Sequence, residues 1–285
     1  MSDVSELPPE VSRFLTYVGQ AIEYFKIPQK IVNLSITDEF SGGGIDICNS
    51  DEEKIIIAVN PEQLSDPFKS QRIAWHEVGH WKDLIEGLPY FDYRRPKYPT
   101  LNFVHIDKKF EGKIYHDLYP RENKKHNSVL RKIKKLGSIL MFLYMQRTLC
   151  DAILVRRFNE LPVQIKTNIV IGLIKETSKI PPIEDFTLAR VYLRLQIIAL
   201  EMEHLSFTGI PKKFTKKLKE IDERWLKIIF AKYPELKPFF TSSCSLVQEI
   251  KFTTSPEKLY DWIIRWIKLI PPKVYSDMAP LYFEH

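Results

Sequence analysis

Three residues have the types and the spacing to do chemistry together: His76, Glu77 and His80, in the segment Ile73-Ala74-Trp75-His76-Glu77-Val78-Gly79-His80-Trp81. On a helix, residues i and i+4 share one face, one turn apart. Two imidazoles so placed can converge on one metal ion. Zinc accepts neutral nitrogen donors in tetrahedral geometry and keeps one position open when it is catalytic. Glu77 follows His76 by one residue and points to the side of that face. Its carboxylate can reach a water on the metal, whose pKa the metal lowers towards ~7. Glu77 would take that proton and hand it to a leaving amine.

The elements that must hold these groups are legible around them. Ser65-Asp66-Pro67 predicts a helix start with proline at the first helical position, and Gly87 with Pro89 ends the helix near Glu86. Upstream, Ile31 to Ile36, Ile45 to Cys48 and Ile55 to Val59 read as strands of a small sheet, with Ser41-Gly42-Gly43-Gly44 as a turn. The third strand is β-branched throughout its centre and is expected to be buried. Val11, Phe14, Leu15, Val18 and Ile22 predict an amphipathic N-terminal helix over residues 9 to 25.

The HExxH helix, the uncharged pair Val78-Gly79 at its centre and the preceding strand Ile55 to Val59 resemble the zincin metallopeptidases over about residues 30 to 90. Lys82 departs from the pattern, at a position where zincins more often carry an apolar residue. The resemblance implies a sheet lying over the active-site helix, a Zn²⁺ ion on His76 and His80, and Glu77 as general base.

A catalytic zinc usually takes three protein ligands. The metzincin pattern is not followed, because Asp83 and Glu86 stand where its glycine and third ligand would be. Without the glycine the helix continues and turns Glu86 off the histidine face. Asp151 is the first candidate. It is the one charged residue in Thr148-Leu149-Cys150-Asp151-Ala152-Ile153-Leu154-Val155, and a carboxylate buried there needs a partner. It resembles the acidic third ligand that some zincins carry on a separate downstream helix. An ion pair with Arg147, one turn back, is the competing reading. Glu203 and its neighbour Glu201 come next, ahead of His116 and Asp117. Solvent-facing glutamates on an amphipathic helix are the commoner explanation of the two glutamates.

A peptidase also needs a donor for the tetrahedral oxyanion. Tyr115, His116, His126, Arg156 and Arg157 are the candidates, and Asp83 could bond a ligand histidine or form an ion pair. The Tyr-rich stretch from Tyr90 to Tyr119 lacks clear periodicity. Leu101–Ile106 and Lys113–Tyr119 read there as short strands, and the stretch is either a cleft cover or a packed excursion. Beyond Ser128 the chain reads as helical, over about 128–159, 164–177, 184–207, 213–232 and 256–269. Two basic runs, Arg121 to Lys135 and Lys212 to Lys217, could hold nucleic-acid phosphates, but a solvated helical face is favoured.

With 285 residues, two lobes are expected: an α/β lobe over 1–126 carrying the active-site helix, and a helical lobe over 127–285 carrying the third ligand. The fold class is α+β. Three scattered cysteines and no CxxC pair indicate neither a disulfide framework nor a cysteine zinc knuckle. No signal-like N-terminus and no apolar run of ~20 residues is seen, so a cytoplasmic protein without a membrane partner is expected. The expected activity is zinc-dependent hydrolysis of peptide bonds in a peptide or protein substrate. The alternatives are a regulatory or nucleic-acid-associated protein on the same scaffold, binding without turnover, and a hydrolase of non-peptide amides.

Overall fold

The computed structural model describes residues 7–28, 31–38, 42–98, 100–120, 128–179, 182–183, 186–250, 255–271 and 274. The protein is α+β and mostly helical, with two small sheets. Helix α1 (Pro9–Phe25) places Val11, Phe14, Val18, Ala21 and Phe25 on its buried face and ends at Lys26 in the left-handed conformation. Strands β1 (Ile31–Ile36), β2 (Gly43–Ile45) and β3 (Lys54–Val59) form the first sheet, in the order β1-β3-β2. β3 is central, parallel to β1 and antiparallel to β2. Its Ile55, Ile57 and Val59 are buried, the alternation expected of a strand with one face on a core.

The second strand lies earlier than the sequence predicts. The glycines read as a turn instead form most of β2, with Gly43 opposite Val59 and Gly44 opposite Ala58. Close packing explains this: a Cβ on Gly43 would overlap Ile73 on the helix beneath, so only glycine lets this strand lie there.

After the short α2 (Pro61–Leu64), helix α3 (Pro67–Ile85) runs under the sheet. The Asp66 carboxylate caps it, accepting from the Phe68 and Lys69 N–H groups. Trp75, Val78, Trp81 and Leu84 are buried, so α3 is enclosed along its length. Strands β4 (Tyr90–Asp92) and β5 (Phe103–His105) form a second, parallel pair. Lys113–Tyr119, read as a strand, is instead part of helix α4 (Lys108–Leu118). The Asp107 carboxylate accepts from Phe110 N–H at its start, and Ile114 and Leu118 lie one turn apart on its buried side. Capping and i, i+4 spacing outweigh the β-propensity of Tyr115.

The remaining helices are α5 (Ser128–Phe158), α6 (Val163–Thr177), α7 (Leu188–Glu201), α8 (Lys212–Lys232), α9 (Lys237–Glu249) and α10 (Pro256–Ile267). A 3-10 turn at Met202–Ser206 follows α7. The sequence did not reveal α9, because its Thr-Ser-Ser-Cys-Ser run consists of weak helix formers. Burial of Phe239, Ser243, Leu246 and Val247 on one face supplies what propensity lacks.

Within α5, Arg131–Phe158 is long and apolar enough by composition to cross a bilayer, but 83% of its most apolar window is buried inside the fold. The buried apolar residues form one connected cluster from Val11 on α1 to Val274 beyond α10. The lobe boundary expected at residues 126 and 127 lies outside the described residues.

Candidate metal centre

His76 and His80 project from one face of α3, and their Nε2 atoms are 3.0 Å apart. Asp151 reaches them from α5. Its Oδ1 lies 3.0 Å from His76 Nε2 and 2.9 Å from His80 Nε2. Two imidazole nitrogens and one carboxylate oxygen therefore form a nearly equilateral triangle. Each Nε2 carries at most one hydrogen, so protons cannot turn all three edges into good hydrogen bonds at once. If both rings donate to Asp151, their N–H groups crowd each other. A cation at the centre relieves all three contacts together. Bonds of 2.0–2.1 Å to such a cation in tetrahedral geometry put neighbouring donors about 3.3 Å apart, close to the spacing present. The group could thus hold a metal ion, and it is the cluster of this kind found among the described residues.

The same contacts set the electrostatics of the metal-free group. Burial works against a charged His80 ring, but the hydrogen bond and charge of Asp151 outweigh it, so its pKa is raised. Burial likewise acts to raise Asp151, and the two histidines pull it well below the usual carboxylate range. No Arg147–Asp151 ion pair occurs among the described residues; the carboxylate is turned to the histidines.

Two packing features bring α5 to this place. At Gly79, between the two histidines, a Cβ would overlap Leu154 Cδ1 on α5 and press on Phe158. Gly79 is therefore what allows the helices to approach. Farther along, Arg157 of α5 bonds the Asp83 carboxylate of α3 and that of Glu86 just past its end, at 2.6 Å from Nε to Asp83 Oδ1 and 2.5 Å from Nη2 to Glu86 Oε2. Asp83 thus pairs with Arg157, the second of the two roles open to it. Its side chain is 0% exposed, and burial raises its pKa against the opposing pull of Arg157.

Glu77 is 6% exposed and, with His76, His80 and Asp151, lines a cavity of about 400 Å³. Gly42 and strand β2, through Gly43, Gly44 and Ile45, form one wall. As the last strand of its sheet, β2 pairs only with β3 among the described residues. Tyr144, Arg147 and Thr148 enter the same cavity from α5. They precede Asp151 by seven, four and three residues, the spacing of one helical face. Sequence reasoning missed Tyr144 as a functional candidate, although that spacing from Asp151 was the available signal. Burial and the nearby Asp151 charge push the Tyr144 hydroxyl up to about 12, so it remains a donor at neutral pH.

The other candidates sit elsewhere. Glu201 accepts two hydrogen bonds from Arg194, and Glu203 pairs with Arg156 at 3.8 Å. Asp117 accepts from Tyr260 O–H at 2.6 Å, and the His116 ring packs against Tyr115. Arg156 is spent on the Val247 and Gln248 carbonyls, Arg157 on Asp83 and Glu86. Tyr115 is buried in α4, and His126 lies outside the described residues. Of the Tyr-rich stretch, Tyr90 reaches the cavity, whereas Tyr98 packs on Trp81 and Tyr119 on Tyr115. The buried Gln146 amide fixes β4 to α5, accepting from Phe91 N–H and donating to Phe91 C=O.

The first basic run is outside the described residues up to Asn127. Beyond it, Lys135 pairs with Glu111, while Arg131 and Lys134 lie over the Tyr115 and Tyr119 rings. In the second run Lys217 reaches Glu220. Comparison with protein-family models, curated proteins and solved structures finds no match to this chain.

Proposed function

We propose that this protein is a zinc-dependent peptidase of the zincin kind, with His76, His80 and Asp151 holding the metal and Glu77 as general base. The observation that carries the reading is the N, N, O triangle, with a buried glutamate one residue from the first histidine in a shared cavity. The donor set suits zinc, which favours imidazole and carboxylate with one position left open. A bound Zn²⁺ supplies a Lewis acid that polarises a water and the substrate carbonyl.

The chain's own residues do the rest. Glu77 accepts the proton of the attacking water and returns it to the leaving nitrogen. The Tyr144 hydroxyl and the Arg147 guanidinium donate to the carbonyl oxygen as negative charge builds on it. The free edge of β2 offers backbone N–H and C=O groups to an extended peptide, which would add there as a further strand. The glycines of β2 let that peptide lie close. This arrangement of sheet edge, helix and metal ligands is the zincin-like part of the fold.

The deciding experiment measures zinc content and peptide hydrolysis side by side. The wild type is expected to carry about one zinc per chain and to cleave peptides. Glu77→Gln should keep the zinc and lose about 10²–10⁴-fold in kcat. Asp151→Asn and His80→Ala should lose zinc affinity by more than about a hundredfold, exceeding the cost typical of removing an outer-shell partner. A wild type that takes up no zinc when it is offered would overturn the reading.

A further inference from the structure

The face of α5 that brings Asp151, Arg147 and Tyr144 to the first cavity does not end there. At steps of four and three residues it continues towards the helix start through Leu140, Leu136, Ile133 and Val129. Leu140 is buried, but Leu136, Ile133 and Val129 are 55%, 49% and 61% exposed. Helix α4 covers the opposite side of these turns. There Arg131 and Lys134 lie over the Tyr115 and Tyr119 rings, and Lys135 pairs with Glu111. The apolar row therefore faces away from the protein, and moving it out of water is favourable.

Charge selects what the row would meet. From Arg121 to Lys135 the sequence holds seven cations and one carboxylate, a surplus equal to the net charge of +6 of the whole chain. The remainder of the chain is neutral in sum, so its positive character is concentrated in the segment that carries the row. Lys132, on the flank of the row, is exposed. A second copy of the chain would set the same surplus against itself. A nucleic acid would meet the cations and leave the row in water. An anionic lipid surface satisfies both, with headgroups for the cations and the acyl boundary for the row. A helix lying on a bilayer needs no spanning segment, so the expectation drawn from the lengths of apolar runs does not extend to it.

We propose that the first turns of α5 dock on an anionic lipid surface, with Val129, Ile133 and Leu136 in the acyl boundary and Lys132 at the headgroups. Tyr144 lies eight residues past Leu136, about 12 Å along the helix, so docking holds the metal-bearing cavity beside that surface. The docking stands on α5 alone. That the cavity draws a membrane-associated peptide from the surface rests on the peptidase reading above.

The test is co-sedimentation of the full chain with vesicles of phosphatidylcholine, alone or with about one third phosphatidylserine, at about 0.1 M and about 0.5 M salt. Binding to the anionic vesicles should be at least about tenfold tighter than to the neutral ones, and the higher salt should remove most of that difference. Lys132→Ala should weaken the anionic binding about fivefold. Ile133→Ser with Leu136→Ser should weaken it at least about tenfold and leave the melting temperature near wild type, since both side chains stand in water. Binding to neither vesicle, equal binding to both, or anionic binding that survives both variants would overturn the proposal. So would tighter binding of duplex DNA than of anionic vesicles at the same salt. A dimer in light scattering that the serine variant breaks, without vesicle binding, would overturn it in favour of a second copy. Peptide cleavage without vesicle binding would refute the docking and leave the peptidase. Vesicle binding without cleavage of any peptide would keep the docking and refute the peptidase.

Discussion

Gly79 of α3 meets Leu154 of α5 so closely that a single methyl group on the glycine would overlap the Leu154 Cδ1 atom. Leu154 is fully buried and lies one turn past Asp151, so it has little room to yield. The contact sets the distance between the helix bearing both histidines and the helix bearing the carboxylate.

Replacing Gly79 by alanine therefore tests whether packing places the third ligand. Alanine favours the helix by up to about 1 kcal/mol. Overpacking a filled interface costs about 1–3 kcal/mol. The expected balance is a loss of up to about 2 kcal/mol in thermal unfolding of the metal-free protein, with weaker zinc retention against a chelator. Unchanged zinc affinity with raised stability would show that the close approach does not hold Asp151 in place.

Tyr144→Phe removes one hydroxyl and keeps the ring. If that hydroxyl meets the developing oxyanion, kcat falls about a hundredfold while KM and zinc content stay near wild type. Because its pKa is pushed up to about 12, the wild-type pH profile should show no loss from Tyr144 ionisation through pH 10. A fall in KM-dependent binding alone would assign Tyr144 to substrate packing.

Arg157→Ala leaves the Asp83 carboxylate buried without its cation. Breaking one partner of a buried pair costs about 3–5 kcal/mol. Thermal unfolding should show a loss of that size, and adding Asp83→Asn should restore part of it. No recovery in the double variant would mean that Arg157 acts through packing instead.

Asp222 gives a pH signature away from the metal. Burial, and then the Glu201 carboxylate against it, push its pKa from 3.8 up to about 8. Between those values the folded protein keeps a proton that the unfolded chain has released, so stability falls as pH rises through this window. Asp222→Asn keeps a hydrogen-bond donor to Glu201 and removes the titration. Its melting temperature should fall less than wild type between pH 5 and pH 8, as the linkage requires. Parallel curves would place the titration elsewhere.

The sequence by itself determined the parts of this protein that depend on local spacing. His76 and His80 share a helical face whatever surrounds them, with Glu77 at its side, and the Asp66 cap and the Gly87 stop bound that helix. The isolated charge of Asp151 in an apolar run singled it out, because a buried carboxylate needs a partner. Tertiary structure alone decided what local rules cannot. It brought Asp151 to the histidines across 71 positions of chain, through a close helix approach that Gly79 allows and Arg157 supports. It paired Gly43 and Gly44 with β3, at a place where Ile73 leaves no room for a side chain on Gly43. It drew α9 from weak helix formers by burying one face, and set Glu201 against Arg194 and Asp222. Periodicity and capping act within a few residues, whereas shape and charge complementarity act between elements that meet only once the chain is folded.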